Sequence, residues 1–268
     1  MTVRVDPDRI ASLIAEVAAD EIMPRFGRLA AADIQEKGPG DLVTAADHAA
    51  ERRLAPLLAA LIPGSVVVGE EASESDPTLL NRLAGDHPVW LIDPVGGTAN
   101  FAAGIPVFGT IVALVRKAEV VAGWIHDPLR ERTLIGEAGA GAHADGAPMR
   151  VARPAEPNRM SGVLNLTTGD REQAATLGRN ANRIASLVML RCAAADYANL
   201  IEGRTHFSLY NRIKPWDHAA GWLLHKEAGG YGRLLDGSPY DPRRIHGPLF
   251  LAPDEASWHA LVETLWTA

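Results

Sequence analysis

The chain has a single cysteine, Cys192, among its 268 residues. An intramolecular disulfide framework is therefore excluded, and the composition suits a reducing compartment. No hydrophobic run reaches the roughly 20 residues that a membrane-spanning helix needs. The opening residues 1–6 also lack the long apolar core of a signal peptide. We therefore expect a cytoplasmic protein.

Positive charge is in deficit, since 26 Lys and Arg face 33 Asp and Glu and leave a net charge of −7. This balance argues against nucleic acid or an anionic membrane as the main partner. The histidines show no zinc-ligand spacing, and no G-x-S-x-G nucleophile motif occurs. A glycine pattern at residues 139–144 imitates a dinucleotide loop, but residues 145–148 read Asp-Gly-Ala-Pro where a helix should begin. A nicotinamide oxidoreductase is therefore disfavoured.

Acidic residues follow two apolar runs that have the pattern of buried strands. Residues 66–68 precede Gly69-Glu70-Glu71, and residues 87–92 precede Asp93. A third acid, Asp217, lies near the start of a predicted helix. Each acid alone could simply face solvent, make a turn or cap a helix. Together they supply oxygen ligands from three separate elements, which suits a hard divalent cation such as Mg²⁺.

The segment 93–101, Asp-Pro-Val-Gly-Gly-Thr-Ala-Asn-Phe, has the pattern of a phosphate loop. Gly96 and Gly97 let the backbone turn sharply and approach a ligand closely, and Thr98 could cap a following helix. The amide hydrogens at such a helix start attract an anion. The alternative is an Asp-Pro turn followed by a glycine bend.

Four motifs in order along the chain resemble those of the inositol monophosphatase family of magnesium-dependent, lithium-sensitive phosphatases. The shared segments are 41–47 (Asp-x-Val-Thr-x-x-Asp), 69–71 (Gly-Glu-Glu), 93–101, and 216–219 with 228–230 (Trp-Asp-x-Ala and Ala-Gly-Gly). The resemblance implies a layered α-β-α-β-α sandwich, an α/β (α+β) fold, and a homodimer. It also implies two or three Mg²⁺ ions and hydrolysis of a small phosphorylated alcohol.

The resemblance further implies a role for each matching residue. Metal ligands would be Glu70, Asp93, Asp217 and the carbonyl of Val95, with Asp93 bridging two ions. Glu70, Thr98 and Asp47 would position and deprotonate the attacking water, which displaces the alcohol in line without a covalent intermediate. Thr44 and Asp47 also form a possible helix capping box, and both roles can coexist. Phosphate and substrate binding is assigned to Gly96, Gly97, Thr98, Arg191, Cys192, Ala193, Tyr210 and Asp217.

The chain departs from the family pattern at Gly96, where the family has a second loop aspartate. Loss of this ligand should weaken the second metal site by at least the roughly 10–100-fold typical of a lost supporting contact. We expect the first metal site and phosphate binding to persist with reduced turnover. The alternative is a catalytically impaired phosphate-binding or regulatory homologue.

Substrate selectivity is less well defined by the sequence. Arg191-Cys192-Ala193 stands where the family has Gly-Ser/Thr-Ala, and Arg191 could favour a more anionic substrate or pair with a surface acid. Tyr210 stands where inositol-specific members have an acidic residue. Inositol monophosphate is therefore the default substrate, and histidinol, sugar and nucleotide phosphates remain alternatives.

The polar, proline-marked stretch 152–158 predicts a division of the chain. We expect an N-terminal α+β subdomain, residues 1–150, with most metal ligands, and a C-terminal α/β subdomain, residues 151–268, with Asp217. A helix should begin at Asp6-Pro7. Runs 107–115, 119–125 and 132–135 predict antiparallel strands in the first half, and runs 162–166 and 187–190 predict strands in the second. Runs 172–183 and 192–201 predict helices there.

Overall fold

A computed structural model describes residues 5–165 and 171–266. The first half of the chain contains helices α1 (Pro7–Val17), α2 (Ala45–Leu61), α3 (Glu70–Ser75) and α4 (Thr98–Ala102). Its strands are β1 (Ile34–Gly38), β2 (Asp41–Thr44), β3 (Val66–Gly69), β4 (Val89–Gly96), β5 (Gly109–Arg116), β6 (Glu119–Asp127), β7 (Arg132–Glu137), β8 (Gly141–Ala144) and β9 (Ala147–Pro148).

The second half alternates strands and helices before it closes with a hairpin and a terminal helix. Its strands are β10 (Ser161–Leu164), β11 (Ser186–Leu187), β12 (Phe207–Arg212), β13 (Tyr231–Leu234) and β14 (His246–Ala252). Its helices are α5 (Arg171–Asn180), α6 (Ala193–Ile201), α7 (Pro215–Glu227) and α8 (Glu255–Trp266).

Two main sheets organise the described residues. The first has the order β3-β4-β5-β6-β7-β8-β9, and within it only β3 and β4 pair in parallel. The second has the order β11-β10-β12-β14-β13 and mixes parallel with antiparallel pairs. The predicted antiparallel character of the first half is confirmed. Strands β1 and β2 form a separate antiparallel ribbon.

Alternate residues of β4 serve two different hydrophobic layers. Trp90 and Ile92 pack with residues of α1 and α2, whereas Val89 and Leu91 pack with residues of α6 and α7. This follows from the two-residue side-chain period of a strand. A strand covered on both faces is buried along its whole length, and all eight residues of β4 are buried, including the acid Asp93 near its end.

The second sheet is covered on both faces in the same way. Leu249 and Leu251 of β14 face the layer of α6 and α7, and Phe250 packs with residues of α5 and α8. The order of layers is therefore α1 and α2, first sheet, α6 and α7, second sheet, α5 and α8. The predicted α-β-α-β-α sandwich is confirmed.

Helix α7 approaches the first sheet closely because two glycines face it. A Cβ atom at Gly123 would lie 2.8 Å from Ala220 Cα, and one at Gly136 would lie 2.9 Å from Leu224 Cγ. Both distances are too short for any side chain at those positions. This close approach brings the N-terminal turn of α7, with Asp217, toward the first sheet. The predicted boundary near residue 150 falls between the strands of the two sheets, yet α7 packs across it; the division into subdomains stays a prediction.

Several predicted elements differ in extent from the structure. The run 187–190 was predicted as a strand, but β11 covers only Ser186–Leu187, and the carbonyl of Leu190 accepts a hydrogen bond from Asn100 Nδ2. The predicted helix 172–183 corresponds to α5 followed by one 3₁₀ turn, Ala181–Arg183. The predicted strand 162–166 corresponds to β10, and its last residue lies outside the described part. Within the described ranges, no helix combines the length and apolarity that crossing a bilayer requires.

Candidate metal and phosphate site

Three carboxylates meet at one edge of the first sheet. Glu70 is the first residue of α3, Asp93 lies near the end of β4, and Asp217 lies in the first turn of α7. One carboxylate oxygen from each lies within 4.8 Å of the others. Since β3 and β4 run in parallel, the acids that follow them reach the same sheet edge. The structure thus brings together the three side chains that were predicted as metal ligands.

The electrostatics of this cluster favour a bound cation. Burial, followed by the negative charges of Glu70 and Asp217, raises the pKa of Asp93 well above its usual value. Burial and the charge of Glu70 also raise the pKa of Asp217. Asp93 Oδ1 is buried and has no hydrogen-bond partner within the described residues. An unpartnered buried carboxylate oxygen beside two further acids fits a divalent metal with oxygen ligands.

Lys37 is a member of the site that sequence reasoning missed. Its ammonium nitrogen lies 3.1 Å from Glu70 Oε1 and 3.1 Å from Glu71 Oε1. Burial alone would lower the pKa of Lys37, but the two glutamates raise it above its usual range. Burial, then the charge of Glu70, raises the pKa of Glu71 to about 7. No local pattern signals this role, because Lys37 sits in the polar β1 and meets the glutamates only through the fold.

Asp47 caps a helix and also faces Thr98, as its two predicted roles require. Its Oδ2 accepts hydrogen bonds from Thr44 N at 2.8 Å and Thr44 Oγ1 at 2.6 Å, so the predicted capping box is present. Its Oδ1 lies 3.4 Å from Thr98 Oγ1. Burial raises the pKa of Asp47 to about 7, although the hydrogen bonds from Thr44 oppose the shift. One carboxylate oxygen therefore caps α2 while the other faces the site.

The turn after β4 has the geometry of a phosphate loop, with one correction. Gly97, not Thr98, occupies the N-cap of α4, and its φ of +90° lies in the region that favours glycine. The Thr98 hydroxyl instead donates to Val95 O at 2.9 Å, so Thr98 does not cap the helix. The Thr98 amide belongs to the first turn of α4, where N–H groups lack intrahelical partners.

Gly96 lies directly against Asp93. A Cβ atom at position 96 would be 2.5 Å from Asp93 Oδ2 and 3.3 Å from Gly109 O. The carboxylate of Asp93 thus occupies space that a side chain at position 96 would need. Any residue with a side chain there requires the Asp93 carboxylate to shift.

The segment Arg191-Cys192-Ala193 borders the phosphate loop. Cys192 Sγ donates to Gly96 O at 3.2 Å, and a Cβ at Gly97 would lie 3.0 Å from Cys192 Cβ. Arg191 is exposed, and Ala193 begins α6 in a half-buried position. The structure therefore places this predicted substrate segment next to the predicted phosphate turn.

Tyr210 requires a correction as a predicted substrate contact. Its side chain is 3 % exposed, its ring stacks on Tyr197 with centroids 5.3 Å apart, and the ring of His218 lies 4.6 Å away. In this structure Tyr210 packs in the layer of α6 and α7. The residue supports the site from behind, because α7 carries Asp217.

Glu51 is a second site residue that the sequence did not indicate. Its carboxylate, on α2, accepts hydrogen bonds from the amides of Glu71 at 2.8 Å and Ala72 at 2.9 Å. It therefore caps α3 and fixes the helix that carries Glu70. The contact requires Gly69, because a Cβ there would lie 2.3 Å from the Glu51 carboxyl carbon.

A cavity of about 240 Å³ lies elsewhere, between α6 and the ends of β5, β6 and β7. Its lining includes His126, Arg132 and Glu202 but none of the clustered carboxylates. Cavity size therefore does not identify the site. The donor atoms identify it, because among the described residues only the carboxylate cluster combines metal-ligand chemistry with the turn predicted to bind phosphate.

Comparison with known proteins agrees with this geometry. A family model described as the inositol monophosphatase family matches residues 7–266. A fructose-1,6-bisphosphatase/inositol-1-monophosphatase from Thermotoga maritima is 33% identical over 213 residues, which cover 78% of this chain and 77% of the relative. The Nus factor SuhB from Escherichia coli K12 is 30% identical over 82% of each chain. The solved structure of a Thermotoga maritima IMPase superposes with a TM-score of 0.79, at 27% identity over 96% of each chain.

Proposed function

The chain belongs to the inositol monophosphatase family, whose members are phosphatases acting on phosphoric monoesters, and we propose that it hydrolyses a small phosphorylated alcohol in a Mg²⁺-dependent reaction. One observation carries the proposal. The oxygens of Glu70, Asp93 and Asp217 gather within 4.8 Å of one another, next to the turn formed by Gly97 and Thr98. The proposed metal ligands and the proposed phosphate-binding turn thus share one surface.

Each residue has a distinct part in the proposed reaction. Glu70, Asp93 and Asp217, with the carbonyl of Val95, would hold the metal. When bound, Mg²⁺ supplies Lewis acidity and lowers the pKa of a coordinated water. The amides of Gly97 and Thr98 would orient the phosphate. The Thr98 hydroxyl, within 3.4 Å of Asp47 Oδ1, would align the attacking water and pass its proton toward that carboxylate.

Gly96 leaves the proposed second metal site one carboxylate short. We expect a high Mg²⁺ requirement, and Gly96→Asp should raise phosphate release at low Mg²⁺. The gain requires Asp93 to turn, because the two side chains otherwise collide. A matched control is Gly178→Asp, which adds the same charge in open space on α5. Equal activity of Gly96→Asp and the parent at every Mg²⁺ concentration would contradict the expectation.

A panel of substrates tests the function and its substrate class together. It contains inositol 1-phosphate, histidinol phosphate, fructose 1,6-bisphosphate and 3′-phosphoadenosine 5′-phosphate, each assayed over a Mg²⁺ titration with and without lithium. Inositol monophosphate is the default because the similar proteins from Rhizobium meliloti and tomato bear that activity in their names. No turnover of any compound at saturating Mg²⁺ would refute the phosphatase proposal.

A regulatory role is a second candidate, favoured by two observations. The chain lacks a carboxylate at Gly96, and a relative at 30% identity is named as a Nus factor. Such a protein would retain phosphate binding without turnover. Calorimetric titration with inorganic phosphate, run beside the activity assay, separates the two candidates.

We also propose a homodimer. Exposed apolar side chains Ile105, Leu129 and Met189 each adjoin a residue that lines the 240 Å³ cavity, and Met189 is 77 % exposed. Asp127 and Arg130, which pair with each other, also line this cavity, and a two-fold axis would bring the same ion pair of each copy to the interface. Sedimentation equilibrium should show a dimer for the parent and a monomer for Met189→Asp. A monomeric parent would refute the proposal.

A cytoplasmic location remains part of the proposal. The single thiol, Cys192, is buried and has no partner cysteine. Fractionation of cells that express the tagged full chain should place the protein with cytoplasmic markers, and recovery in another fraction would contradict it.

A further inference from the structure

The backbone on both sides of Arg191 is fastened to the phosphate loop. On one side, Asn100 Nδ2 donates to Leu190 O at 2.8 Å and also to Val107 O at 2.9 Å. On the other, Cys192 Sγ donates to Gly96 O at 3.2 Å. The flanking residues are thus held by the loop that would bind the phosphate, and Arg191 lies between the two anchors.

Arg191 adopts a conformation that costs energy. Its φ is +55°, in the left-handed region where glycine fits freely and a residue with a Cβ costs on the order of 1–2 kcal/mol. Strain of this kind persists where the surrounding contacts impose it, and it concentrates at functional sites. The anchors at Leu190 and Cys192 impose it here. The strain sets the direction in which the arginine leaves the backbone.

The charge of Arg191 is available to a ligand. The side chain is exposed, and among the described residues no carboxylate oxygen lies within 4.0 Å of its guanidinium nitrogens, the distance of an ion pair. By contrast, Arg130 pairs with Asp127, and Arg132 pairs with both Asp145 and Glu202. Of the two explanations open at the sequence level, a surface ion pair therefore finds no support in the described residues.

We propose that Arg191 is a specificity-determining residue that selects substrates with a second anionic group, such as a second phosphate or a carboxylate, beside the phosphate that is hydrolysed. The inference rests on the proposed function, because it assumes that the adjoining loop binds the first phosphate. A guanidinium offers paired donors that match phosphate and carboxylate geometry. The Gly96 and Gly97 turn would hold the reacting phosphate while Arg191 contacts the distal anion.

Three variants separate charge from backbone strain. Arg191→Gln removes the charge and keeps a side chain, Arg191→Gly removes both charge and strain, and Arg153→Gln removes a charge at an exposed loop position as the control. We expect Arg191→Gln and Arg191→Gly to lower kcat/KM for fructose 1,6-bisphosphate about 10–100-fold, mainly through KM. Turnover of inositol 1-phosphate, which lacks a second anionic group, should fall by a clearly smaller factor in both variants. Arg191→Gly should also melt roughly 2–4 °C above Arg191→Gln, because it relieves the left-handed strain.

Calorimetric binding keeps the inference separable from the proposed function. Inorganic phosphate and a non-hydrolysable bisphosphonate analogue of fructose 1,6-bisphosphate are titrated into the parent and both Arg191 variants at saturating Mg²⁺. Tighter binding of the bisphosphonate analogue by the parent, lost in both variants while phosphate binding falls by a clearly smaller factor, supports the inference. Equal losses for both ligands, or no loss for either, would overturn the role of Arg191. Failure of every protein to bind phosphate would instead overturn the proposed function, and the inference with it.

Discussion

Replacing Gly69 by alanine should collide with the carboxylate that holds α3 in place. A Cβ at position 69 would lie 2.3 Å from the Glu51 carboxyl carbon and 2.5 Å from each of its oxygens. The backbone of Gly69, at φ −87° and ψ 158°, is otherwise acceptable for alanine. The three atoms nearest to that Cβ all belong to Glu51, so we expect the destabilisation to come chiefly from this carboxylate. Overpacking of this kind costs about 1–3 kcal/mol.

Truncation of Glu51 has its own cost. The carboxylate accepts from the amides of Glu71 and Ala72, and hydrogen bonds to a charged group contribute about 1.5–3 kcal/mol each. Burial reduces this benefit, since it raises the pKa of Glu51 against the effect of these bonds. We expect Glu51→Ala to destabilise the protein by about 2–5 kcal/mol.

The double variant distinguishes this explanation from a general sensitivity of the region. In a Glu51→Ala background, Gly69→Ala meets no carboxylate and should change the free energy of unfolding by less than about 0.5 kcal/mol. The coupling in the cycle should therefore be about 1–3 kcal/mol. Urea denaturation followed by circular dichroism measures all four proteins, with Gly38→Ala, which meets open space, as the control. Additive single and double effects would refute the reasoning.

The same cycle has a consequence for metal binding. Displacement of Glu51 frees the start of α3, and Glu70 is the first residue of that helix. Loss of a supporting contact of this kind weakens metal binding about 10–100-fold. Calorimetric titration with Mg²⁺ should show that loss in both single variants and no further loss in the double variant.

Two further predictions concern stability away from the metal site. A Cβ at Gly230 would lie 2.2 Å from His225 Cε1, whereas a Cβ at Gly229, at φ +94°, would meet open space. Gly230→Ala should therefore lose most of its destabilising effect in a His225→Ala background. The cost of Gly229→Ala, roughly 1–2 kcal/mol from backbone strain, should be the same in both backgrounds. Burial raises the pKa of Asp196 to about 7. Between about pH 4 and pH 7 the folded state therefore binds more protons than the unfolded state, and the protein loses stability as the pH rises through that window. Asp196→Asn should therefore stabilise the protein at pH 8 by up to about 4 kcal/mol and by little at pH 4, and an equal effect of the substitution on urea midpoints at both values would contradict the assignment.

Local sequence patterns predicted the elements whose signals are contained within a few residues. The Asp6-Pro7 start of α1, the capping box of Thr44 and Asp47 and the strands β5, β6 and β7 depend on capping chemistry and side-chain period. The strands β12, β13 and β14 were not predicted, and no short turn signals their pairings, since β12 pairs with β10 and β14 and 11 residues separate β13 from β14. The sequence also offered Thr98 as a possible helix cap, but Gly97 takes the N-cap position with its left-handed φ.

The sequence by itself determined the family, the layered fold that the family implies, and the identity of the three acids that could hold a metal. These features are carried by motifs whose residue types and spacing are local. Only the tertiary structure decided which distant groups act on those acids. Lys37 meets Glu70 across 33 positions, Glu51 caps α3 from another helix, and Asn100 holds Leu190 from 90 positions away. Contacts of this range depend on the packing of whole helices and strands, and no local pattern encodes them.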